Sequence, residues 1–204
     1  MSINKRYISI SILVIILMCI IAFMNKKTQY NDIVLNDSII ITPTIDHEFN
    51  IKNIEKTDIV AQIEVSKEIR RANKSIVTKA KVINVLQGNL DKKSIDIFGN
   101  QNYYRINDDN KEYISVYSYN ILLPEKKYYV VLEKIEKKFF YMNPNSFRLK
   151  DDLSVLSDNF NYTFIEKEKD YDLRDLDDSL YLFRDKNQIN GYLSREKMIE
   201  ELKN

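Results

Sequence analysis

One cysteine, one histidine, three glycines and no tryptophan leave this 204-residue chain few groups for redox, metal or acid–base chemistry. Cys19 lies inside an apolar run near the start, so the remainder can form no internal disulfide. That fits a reducing compartment as well as an extracytoplasmic domain stable without bridges. His47 stands between Asp46 and Glu48, with no second histidine or cysteine in the body to complete a soft metal site. A helix-cap neighbourhood accounts for it. Charge of one sign is also lacking: 31 basic and 30 acidic residues leave +1, too little for a field that steers the whole molecule to nucleic acid. The G-x-S-x-G, Walker A and H-E-x-x-H patterns are absent. Ser194-Arg195-Glu196-Lys197 matches S-x-x-K by letter but has no companion motif, and Ser194 reads instead as the N-cap of a closing helix. These gaps argue for a non-catalytic protein without a cofactor.

What is present begins with residues 7–24, YISISILVIILMCIIAFM, free of charge, proline and glycine. As a helix this run is roughly 27 Å long, close to the ~30 Å of a bilayer hydrocarbon core. A cleaved signal peptide would put Ile20 at the −3 position, which is too large, and a lipoprotein signal would need a small residue where Met18 precedes Cys19. An uncleaved anchor is the reading these residues support. Lys5 and Arg6 nearly balance Lys26 and Lys27, but the short, amino-charged tail favours N-terminus inside and body outside.

Downstream the chain reads as mainly β. Fourteen tyrosines and nine phenylalanines suit strands. Residues 38–42 form a β segment ended by Pro43, and 44–56 a short helix. Ile59, Ala61, Ile63 and Val65 then alternate with polar residues as on a half-buried strand. Residues 66–74 read as a charged connector. A long strand follows over 75–86, its phase blurred at 83–86 by a bulge or by full burial, and the turn Gln87-Gly88-Asn89 closes it. Residues 94–98 form a short strand stopped by Gly99, 100–111 a polar loop, and 113–123 an irregular strand. The run 128–133 (YYVVLE) is a strand, and a small hairpin turns at Asp151-Asp152. The expected architecture is a small antiparallel OB-like barrel or sandwich with a short N-terminal helix, a C-terminal helix and one transmembrane helix. The domain expectations are a tail 1–6, an anchor 7–24, a stalk 25–37, a β-rich body 38–158 and an acidic extension 159–204 ending in the helix.

Three segments carry a resemblance: TDIVAQIEV (57–65), TKAKVINVLQGN (78–89) and LPEKKYYVVL (123–132). They resemble a group of bacterial extracytoplasmic domains similar in outline to the OB-like barrel of tissue inhibitors of metalloproteinases. The resemblance covers roughly 57–142 and implies a fold only. Gln87 stands where lysine is usual and Glu125 near where glycine is usual. With no cysteine framework and no N-terminal cysteine to reach a protease metal, inhibitory activity does not carry over.

The surface that draws attention combines Lys67, Arg70, Arg71 and Lys74 with Tyr103, Tyr104 and Arg105. In OB-like barrels the loop after the first strand is a recognition element, and aromatics beside cations stack on bases or sugars. Glu68, Asp108 and Asp109 dilute the charge, so an ordinary solvated loop accounts for it as well, and nucleic acid is a disfavoured partner. The acidic tail (Asp170, Asp172, Asp175, Asp177, Asp178) lacks the spacing of a calcium loop. The leading expectation is a single-pass anchored binding protein, its partner another envelope protein or a wall polymer. The alternatives are an envelope hydrolase or metal enzyme built on Asp46, His47 and Glu48, and a polyanion or nucleic-acid binder using the basic loop 67–74.

Overall fold

The computed structural model describes residues 16, 32–33, 39–43, 51–72, 75–106, 112–116, 122–135, 145–160, 163–164, 171–172, 180–181 and 186–204. Apart from Ile16, the apolar run 7–24 lies outside them, as do His47 and its two acidic neighbours. Among the described residues no helix is long and apolar enough to cross a membrane.

Five strands close on themselves. They are β3 (Ile59–Ala72), β4 (Ser75–Gln87), β5 (Ser94–Ile106), β7 (Lys127–Lys134) and β8 (Ser146–Leu149). β3 pairs antiparallel with β4, and β4 with β5. β5 pairs parallel with β8, β8 antiparallel with β7, and β7 antiparallel with β3. The result is a closed five-stranded barrel, compatible with an OB-like barrel, and not a sandwich. Ile59, Ala61, Ile63 and Val65 fill the interior with Ala80, Ile95, Ile97, Tyr128, Val130 and Leu132. That is the face the period-two pattern selects. Tyr128 also uses its polar tip, accepting a hydrogen bond from the Leu123 amide at 3.1 Å.

β7 reads as an unbroken apolar run because both of its faces are covered. Tyr129 and Val131 turn outward into a second core with Val60, Leu153 and Leu156, under Tyr192 and Ile199 of the helix α1 (Lys186–Lys203). The helix starts well before Ser194, which lies inside it and caps nothing. Gly191, costly in a helix interior by about 1 kcal/mol relative to alanine, sits where a Cβ would come within 2.8 Å of Ile51 Cδ1 and 3.0 Å of Leu153 Cδ1. Residues 51–55, expected as the end of a short helix, run instead as irregular chain beneath α1.

β8 and β9 (Val155–Ser157) do not form the expected hairpin. Both pair with β7, Leu149 opposite Leu132 and Val155 opposite Val130, so residues 150–154 bulge out of one interrupted strand. The blurred phase in β4 is a pair of register shifts against β3, which pass over Leu86 and Ile83.

The larger surprise lies outside the barrel. The charged connector 66–72 is strand: after an irregularity at 66–68, β3 continues with Ile69 opposite Thr78 and Ala72 opposite Ser75. β5 likewise runs through Gly99 to Ile106. Its far half pairs antiparallel with β6 (Glu112–Val116), which pairs parallel with β2 (Ile39–Pro43), and β2 pairs in turn with β11 (Tyr171–Asp172). On the other flank, β1 (Asp32–Ile33) pairs antiparallel with β3 at Arg70 and Ile69. The barrel strands thus extend into a sheet arm. β10 (Thr163–Phe164) and β12 (Leu180–Tyr181) pair separately.

Candidate functional site

The arm collects most of the basic and aromatic residues that the sequence singles out. Arg70 lies opposite Val77 and Asp32, Arg71 opposite Ile76, and Ser75 of β4 opposite Tyr103 of β5. Tyr104 and Arg105 follow on β5, opposite Ile114 and Tyr113 of β6. Residues separated by some thirty positions are therefore neighbours in one ladder: the pairing runs Ala72, Ser75, Tyr103, Ser115 across four strands. They stand on strands rather than on a loop. Lys67 sits at the junction with the barrel, exposed and 3.3 Å from the equally exposed Glu125, a pair worth at most about 1 kcal/mol. Lys74 lies outside the described residues.

Glu125 has φ 60°, the left-handed region. A residue with a Cβ is strained there. Gln87 has a local structural role. Its side-chain amide donates to the carbonyls of Glu55 (2.8 Å) and Asp58 (3.3 Å), tying the turn before β3 to the end of β4. Gly88, at φ 82°, passes so close that a Cβ would lie 2.6 Å from the Asp58 carbonyl oxygen.

Two buried ion pairs, unforeseen from the sequence, arise from consecutive residues in the bulge after β8. Lys150 reaches Asp58 Oδ2 at 2.5 Å, both side chains 8% exposed, while the Glu55 amide donates to the same oxygen at 2.6 Å. Asp151 is engaged in the other direction. Its Oδ2 accepts from Arg195 at 2.8 Å and from the Lys52 amide at 2.8 Å; its Oδ1 accepts from the Leu153 amide and the Ser154 hydroxyl. Arg195 also donates to the Lys52 carbonyl at 3.0 Å. Four hydrogen bonds nearly exhaust a carboxylate's acceptor capacity. Asp151 is a structural anchor with nothing to spare for a substrate. Within the literal S-x-x-K motif it is Arg195 that the fold uses, fastening α1 to the bulge after β8. Only the apolar residues on either side of Asp151-Asp152 hinted that this acidic pair is buried.

Among the described residues no group of three or more histidine, cysteine or acidic side chains is placed to hold a metal. Comparison with protein-family models, with characterised proteins and with solved structures finds no match for this chain.

Proposed function

We propose that this is a single-pass, membrane-anchored binding protein of the cell envelope. Its OB-like barrel is the scaffold, and its basic, tyrosine-bearing arm is the surface that meets an anionic envelope partner. The carrying observation is the ladder that brings Arg70 and Arg71 on β3 and Tyr103, Tyr104 and Arg105 on β5 to one end of the sheet, with β4 between them, beyond the closed barrel. The strand order supports the OB-like reading: the third and fifth barrel strands, β5 and β8, run parallel at the closure while the other pairs run antiparallel. The anchor reading rests on residues 7–24, and the short, amino-charged tail before that run, its flanking charges being nearly balanced, is what favours the extracytoplasmic side for the body.

Binding without catalysis is supported by the use made of four of the buried charged residues. Asp58, Lys150, Asp151 and Arg195 are committed to holding β3, the bulge after β8 and α1 together. The experiment is protease treatment of intact and lysed cells with a C-terminal tag as readout. The tag is expected to disappear in intact cells; protection until lysis would place the body inside and remove the envelope partner.

A further inference from the structure

The arm has a direction, and β1 supplies it. β3 runs out of the barrel to the tip of the arm, where Ala72 lies opposite Ser75, and β1 runs antiparallel to it, Asp32 opposite Arg70 and Ile33 opposite Ile69. The chain therefore enters β1 from the tip side and proceeds towards the barrel. Seven residues, 25–31, separate Met24, the last of the apolar run, from Asp32, which makes 32 − 24 = 8 Cα steps. Even fully extended they span no more than about 28 Å. Asp32 is level with Val77, opposite Arg70, and from Val77 β4 stretches roughly 33 Å to its end at Gln87. An anchor ending so close to β1 holds the tip, and not the far end of the barrel, at the membrane.

The residues at that end suit a headgroup layer. Arg70, Arg71 and Arg105 stand on β3 and β5. Arginine forks match phosphate oxygens, and basic groups near an anionic leaflet are attracted to it. Tyr103, Tyr104 and Tyr113 are the residue type enriched at membrane–water boundaries. Asp32 on β1 is the register partner of Arg70, and Glu112 on β6 lies opposite Ile106, next to Arg105, so the attraction is local and not a field of the whole arm.

We infer that the arm docks on anionic lipid headgroups of the membrane that holds the anchor, standing the barrel and α1 away from it. This rests on the anchored reading and names the partner of the arm. The test reconstitutes the full chain, with Cys19→Ser, into vesicles of phosphatidylcholine with or without phosphatidylglycerol. A fluorophore is placed at Ala72→Cys, or at Ser75→Cys across the hairpin should the first variant misfold. Asn89→Cys serves as the far-end control, and a headgroup-borne quencher reports contact.

The arm label should be quenched well beyond the Asn89 label, and more so with phosphatidylglycerol. Arg70→Glu with Arg71→Glu, or added salt, should reduce that excess, by up to about fivefold for each arginine charge lost. Equal quenching at both positions, or indifference to lipid charge and to the arginine changes, would overturn the docking while leaving the anchor standing. So would protection of the arm label by an anionic wall polymer on neutral vesicles, which would assign the arm to the polymer. Release of the chain by alkaline carbonate would overturn the anchored reading and the docking together.

Discussion

The inner and outer halves of β3 share one backbone but follow different rules. Over 59–65, residues alternate between the barrel interior and the outside, and the interior positions are buried by the closing strands. Over 69–72 the same strand carries Arg70 and Arg71 and pairs with β4 and β1 instead of β4 and β7. The inner half is specified by apolar alternation; the outer half is specified by continuing a ladder already begun. A hydrophobic pattern announces the first kind of strand and is silent about the second. The same holds for β5, whose inner residues Ile95 and Ile97 are buried while its outer run Asn102-Tyr103-Tyr104-Arg105 looks like a polar loop.

If that division is right, damage to the barrel and damage to the arm should separate cleanly. The largest effect should come from Asp151→Ala, which strands the Arg195 guanidinium and frees two amides. A loss of about 3–5 kcal/mol is expected for breaking a buried pair, read by urea unfolding. The joint change Asp151→Leu with Arg195→Met should recover much of it. Gly88→Ala comes next: a left-handed φ combined with a Cβ pressed on the Asp58 carbonyl should cost about 2–3 kcal/mol, seen as a lower Tm. Glu125→Gly relieves a left-handed residue and loses the exposed partner of Lys67. The net should be neutral to about 1 kcal/mol stabilising, again by Tm. Arg71→Ala should leave barrel stability within about 0.5 kcal/mol while weakening binding. A matching loss of stability would blur the comparison.

The smallest effect is a pH dependence at the end of α1. Burial disfavours charge on Lys203, but hydrogen bonds to Glu200 and Tyr129 outweigh it and raise the amine above its ordinary 10.5. The ammonium also sits 4.7 Å from the ring centres of Tyr129 and Phe160, which stack at 5.2 Å. Because the folded value is raised, this contribution is fully present below pH 10.5 and is lost as pH climbs through the raised value. Melting followed across that range should show a small decline that Lys203→Met abolishes.

How far the sequence foretold the molecule follows from the same physics. The barrel strands were legible where one face is apolar and the other polar, as in 59–65, or where both are apolar, as in 128–132. The turn at Gly88 was legible because glycine and asparagine mark left-handed backbone. The arm was misread because a charge run without alternation resembles a solvated connector. The Asp151–Arg195 latch was invisible because burial of a charge is a tertiary fact: only the fold brings residues 44 positions apart into contact. The candidate residues themselves were named from composition, but their convergence depended on register.

The measurement closest to the central claim places a photo-crosslinking residue at Tyr104 on the arm, or at the exposed Ile83 on the barrel, in intact cells. The account predicts adducts with envelope components at 104 and little or none at 83. Equal labelling at both positions, or labelling at 83 alone, would contradict an arm that recognises and a barrel that supports it.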